Sequence, residues 1–170
     1  MQLPVIQRLY AHMEWADANV WEATPATAGG TSDDQLLDTL LHLHLTQRVF
    51  LQLWNGEAPR ARKREEFESA QDLKDWAQEY HGSAKRFIDE LSDARLSEVI
   101  DIPWAKWFEE KIGRPAAAVT VGESAYQVVA HSMYHRGQAN RRLREIGAEP
   151  PLVDYIAWLW MDKPEPKWIV

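Results

Sequence analysis

The chain has 170 residues, of which 45% are hydrophobic and 26% charged, and its 19 basic and 26 acidic side chains leave a net charge of −7. That mixture supports one sizeable core in a single domain over 1–170 and excludes general disorder, while the negative balance argues against a nucleic-acid partner. No cysteine is present, which removes disulfides, thiolate metal ligands and a cysteine nucleophile together.

No run approaches the ~18 apolar residues of a membrane span. The opening MQLPVIQRLYAHMEW lacks the charged start and apolar stretch of a secretory leader. The expectation is a cytoplasmic protein with no membrane partner. Its nine tryptophans read first as core and interface anchors.

The first helix is expected from about Leu3 to Ala23, where Leu3, Ile6, Leu9, Tyr10, Met13, Ala16, Val20 and Trp21 recur at three- and four-residue steps. Pro25 and Gly29-Gly30 break that pattern. Thr31 or Ser32 is expected to cap a second helix that is apolar nearly all round, from Leu36 to Leu53, and stops at Asn55-Gly56. Such a helix is buried on more than one side. The connector EAPRARKREEFES carries Arg60, Arg62, Lys63 and Arg64, read as a solvated loop balanced by Glu65 and Glu66.

Ser69 and Asp72 open a third helix whose apolar face runs from Leu73 to Leu91. Helical periodicity then weakens, and Val99–Trp104 with Ala117–Val121 read as two short strands joined around Gly113-Arg114-Pro115. Thr120 and Glu123 have capping-box spacing for a fourth long helix that Gly147 and Pro150 end. A short helix within Leu152–Met161 is expected to close the core with Trp158 and Trp160. The fold class is therefore all-α: a four-helix bundle with a long connection between helices 3 and 4 and a short C-terminal helix.

The chemistry lies in the histidines. His131 and His135 stand four apart in HSMYH, on one face of the fourth helix. Such a pair lies about 5–6 Å apart at Cβ, close enough for both rings to bind one cation at ~2.0–2.1 Å. Buried together without partners, the two rings would each cost roughly 1–3 kcal/mol, a penalty that a shared metal removes. Ser132 follows the first histidine, so the glutamate of a zinc-protease helix is absent. A third ligand must come from another helix. His42 shares a uniformly apolar stripe with Leu45, Val49 and Leu53 and is the preferred candidate; His44, on a more mixed face, is the alternative. His12 and His81 are expected to face solvent or bond locally. Three imidazoles suit zinc first, then nickel, iron or copper, and leave coordination positions open.

On these residues the chain resembles the DinB/YfiT-like superfamily of metal-binding four-helix bundles. LYAHMEWADANVWEA is similar to the family's first-helix run, and LLHLHLTQRVFLQLWNGE to its second, where a histidine precedes Gly-Glu by some fourteen residues. AYQVVAHSMYHRGQANRRLREIGAEPPLVDY carries the most specific match, a histidine, three residues, then His-Arg-Gly-Gln, a helix end and a Pro…Asp pair. The resemblance implies His42, His131 and His135 as the metal ligands. It departs at Ala130, where many members have asparagine, which puts one supporting hydrogen bond in doubt. It further implies a homodimer acting on a small-molecule substrate, with metal-dependent transfer through a low-molecular-weight thiol as the first reading. The others are a metal-dependent hydrolase activating water, and a non-catalytic, stress-induced metal- or ligand-binding dimer. Arg136, Arg141 and Arg142 are candidates to orient an anionic group on the thiol, or else form ion pairs on the helix surface.

Overall fold

The computed structural model describes residues 3–24 and 33–168. Four long helices carry the architecture: α1 (Leu3–Ala23), α2 (Asp34–Trp54), α3 (Ala70–Asp89) and, numbered after the intervening elements, α6 (Val121–Glu145). Between α3 and α6 run α4 (Asp93–Leu96), β1 (Val99–Ile100), α5 (Ala105–Ile112) and β2 (Val119–Thr120), and α7 (Tyr155–Trp160) follows α6. The main packing contacts close a square in the order α1–α3–α2–α6, so the α2/α6 face and the α1/α3 face lie on opposite sides of the bundle. Among the described residues, no helix is long and apolar enough to cross a membrane.

The ends of the long helices follow local chemistry. The predicted caps of α2, Thr31 and Ser32, lie outside the described residues, and Asp33 is the cap that the structure shows: its carboxylate accepts from the Leu36 N–H at 2.8 Å. The same carboxylate accepts from Arg142 Nη2 at 2.7 Å, tying the start of α2 to the end of α6. Ser69 caps α3 as expected, and Thr120 with Glu123 forms the full capping box of α6. Gly56 and Gly147 end α2 and α6 with φ of +75° and +89°, a region where a Cβ is strained.

Two expected strands are present but only two residues long, paired antiparallel with Val99 opposite Thr120. The turn expected between them holds α5 as well. This helix escapes a search for buried periodicity because its large residues, Trp107, Phe108 and Ile112, are exposed. Trp158 closes the core as expected, whereas Trp160 does not: it is 80% exposed.

The core has three tiers along the bundle axis. One apolar tier holds Ile6, Tyr10, Met13, Phe50, Trp54, Tyr80 and Val128. The other holds Val20, Trp21, Leu36, Leu40, Leu73 and Leu143. Between them every long helix contributes buried polar groups: Asp17 from α1, His44 and Gln47 from α2, His81 from α3, Ser132 and Arg136 from α6.

Candidate metal centre

On α6, residues 131 and 135 share one face, and residues 132 and 136 share a face rotated by one residue, about 100°. The second pair points into the polar tier, while His131 and His135 are half-buried at the α2/α6 groove. Their Nε2 atoms stand 3.2 Å apart. His42 approaches from α2, with ring centroids 4.5 Å from His135 and 5.2 Å from His131. One nitrogen from each ring lies within 4.8 Å of the others.

Hydrogen bonding sets the state of these rings. Gln138 Oε1 lies 2.7 Å from His135 Nδ1, so that nitrogen carries the proton and Nε2 presents a lone pair. His131 Nδ1 is buried and has no partner among the described residues. Burial and the neighbouring His135 and His42 push the His131 pKa down to about 4. Burial also lowers that of His135. Both rings are therefore neutral at pH 7, the form that binds metals.

Two imidazole lone pairs 3.2 Å apart repel unless a proton or cation lies between them. Two nitrogens each ~2.0–2.1 Å from one tetrahedral ion stand about 3.3 Å apart. The spacing observed thus matches a shared cation, and the donor set, three nitrogens without thiolate or carboxylate, suits a borderline-soft divalent ion.

The structure corrects the reason for choosing His42. Leu45, Val49 and Leu53 of its stripe are partly buried against the core, but His42 itself is exposed, and His44 is the fully buried one, at 0%. His42 reaches the α6 pair from the outside of the bundle. His12 and His81, expected to face solvent or bond locally, are each 2% exposed and bond to residues distant in sequence. His12 Nε2 lies 2.9 Å from the Val153 carbonyl, and His81 Nε2 lies 3.1 Å from Asp17. Of the three arginines, Arg141 and Arg142 pair with Glu145 on the surface, but Arg136 is buried and far from any role toward a solvent-borne anion.

Asp17, His44 and His81 form a second group whose donor spacing could hold a cation, and here the atoms that face one another are already hydrogen-bonded. Asp17 accepts from Arg136 Nη1 at 2.7 Å, from Gln47 Nε2 at 2.7 Å and from His81 Nε2 at 3.1 Å. His44 Nε2 accepts from the Trp21 indole N–H at 2.9 Å, and its Nδ1–H donates to Gln47 Oε1 at 2.8 Å. Burial raises the Asp17 carboxyl, but Arg136 and His81 outweigh it and hold its pKa well below the carboxylate range. Arg136 supplies the cation here, and the tier is an internal hydrogen-bond network in which Arg136 Nη2 is left without a partner among the described residues. Sequence reasoning missed this network, although one mark was available: Asp17 interrupts the apolar stripe between Met13 and Trp21 at four-residue spacing.

A model of the DinB family matches residues 5–167. No curated protein matches the chain.

Proposed function

The chain belongs to the DinB family, and on that premise we propose that His42, His131 and His135 form a divalent-metal site at which a low-molecular-weight thiol is activated for transfer to a small electrophile. Zinc is the first candidate, ahead of nickel, iron and copper. Held by three nitrogens, such an ion keeps coordination positions open and lowers the pKa of a bound thiol or water. The observation that carries the reading is the 3.2 Å approach of two Nε2 atoms beside a third imidazole.

The residues of this chain supply the setting. Gln138 fixes the His135 ring so that Nε2 faces the cluster. Tyr134 stands edge-on to His135 with centroids 5.0 Å apart and is 65% exposed. The donor group contains no carboxylate among the described residues. Hydrolysis would also draw on a general base beside the ion, and this donor group offers none, which favours thiol transfer over hydrolysis.

The test is metal binding followed by turnover. The zinc-loaded protein should consume a model electrophile only when thiol is present, and a chelator should stop it. His135→Ala should lose the metal while far-UV circular dichroism stays helical. Full metal occupancy in that variant refutes the site. Ester or amide hydrolysis without thiol would select the hydrolase reading, and silence in both assays the binding protein.

A further inference from the structure

On the α1/α3 face, opposite the metal site, the C-terminal tail closes a cleft of about 180 Å³. That is below the ~300–1,000 Å³ of drug-sized sites, so its occupant has few heavy atoms. Tyr10, Ala84, Ile88 and Trp158 give it apolar walls, and Pro164 and Pro166 lie across it. Asp162 and Lys163 turn the chain back with φ of 61° and 54°. The tail is then held by the Trp158 indole N–H, which donates to the Pro164 carbonyl at 3.2 Å, and by the Trp168 indole N–H, which donates to Glu14 at 3.3 Å.

His81 lines this cleft at 2% exposure, with the Trp168 ring 5.5 Å away. Its Nε2–H donates to Asp17, whose charge Arg136 already balances. In the tautomer that makes this bond Nε2 carries the proton. Its Nδ1 is then a lone-pair acceptor. That atom has no hydrogen-bond partner among the described residues, and it is not sealed from solvent. The lining also holds three carboxylates, Glu14, Asp89 and Glu165, against two lysines, Lys85 and Lys163, an excess of 3 − 2 = 1 negative charge. Lys85 is engaged with Asp89 at 2.8 Å. The cleft lining thus combines a buried histidine with one unpartnered nitrogen, an excess of one carboxylate and the Trp158 indole.

We propose that this cleft binds a small organic amine, its ammonium group donating to His81 Nδ1 and balanced by Glu14 and Glu165, its apolar body against Tyr10 and Trp158. One cation closes the charge balance, and the aromatic wall favours it further.

The test uses benzylamine as the probe, with benzyl alcohol and benzoate as the neutral and anionic counterparts. EDTA is present throughout, so the result does not depend on the metal site. Two-dimensional NMR should show saturable benzylamine shifts at the Trp158 and Trp168 indole N–H signals, with both counterparts at least tenfold weaker. Ala11→Phe, on the cleft wall at an exposed position of α1, should abolish saturation with melting temperature unchanged. Glu165→Gln, on the exposed tail, should weaken binding severalfold. Absence of benzylamine shifts, equal response to benzoate, or unaltered binding in both variants overturns the proposal.

Discussion

Asp17 and Arg136 form a buried ion pair at 2.7 Å with both side chains at most 2% exposed. Removing one partner of such a pair costs about 3–5 kcal/mol, because the other charge is left in a poorly polarisable interior. Asp17→Leu also strips the acceptor from His81 Nε2, adding roughly 1–3 kcal/mol for a buried unpaired donor. Gln47 Nε2 loses less, since it keeps its 3.0 Å bond to Ser132 Oγ. The single variant should therefore lose roughly 4–8 kcal/mol, a large part of the ~5–15 kcal/mol typical of a domain. Arg136→Met should lose ~3–5 kcal/mol, since it leaves the carboxylate without its cation. The double variant removes both charges, and its loss should fall short of the sum of the singles by at least ~2 kcal/mol. Urea unfolding followed by circular dichroism measures all three. Additivity within ~0.5 kcal/mol would refute the claim that these charges are coupled.

Other outcomes follow from the same coordinates. His42→Ala should abolish high-affinity zinc binding in equilibrium dialysis yet shift unfolding free energy by no more than ~0.5 kcal/mol, because the side chain is exposed. Leu40→Ala, at a residue 1% exposed, should cost about 2–5 kcal/mol in the same urea assay. Thr120→Ala removes the hydroxyl that accepts from the Glu123 N–H and should cost ~0.5–2 kcal/mol. His12 is held neutral by burial and by Arg136, against the pull of the Val153 carbonyl, Asp17 and Asp154. Its folded pKa thus lies below the ~6.5 of the unfolded chain. Below that pH the unfolded state binds the extra proton, so this contribution to stability is lost as pH falls from about 6.5. Melting temperature should therefore drop less steeply with acid in His12→Gln than in the parent.

The long helices were legible because each buries a stripe of regular period and ends in short-range chemistry, as at Asn55-Gly56 or Thr120 and Glu123. α5 was not, because Trp107, Phe108 and Ile112 are exposed and no buried stripe marks a face. The pairing of His131 with His135 follows from helix geometry alone. His42 was selected by an apolar stripe whose Leu45, Val49 and Leu53 do pack on the core, but His42 stands exposed at its edge, and the histidine that faces inward is His44. A stripe shows which residues share a face but does not say which neighbour that face meets. The polar tier was harder still, because Asp17 and Arg136 lie 119 positions apart and only tertiary packing joins them.

The three imidazoles lie in the α2/α6 groove, apart from the core of leucines, indoles and one internal ion pair that holds the bundle together. Any cation they hold is therefore a late arrival at a finished scaffold, unlike the metal of a small zinc finger, which folds its own chain. Loading and stripping should be quick and reversible, leaving the bundle intact. Which ion is carried would then follow the free supply around the protein and the ordinary ranking of divalent ions for nitrogen donors, so one polypeptide can leave two growth media with different metals aboard.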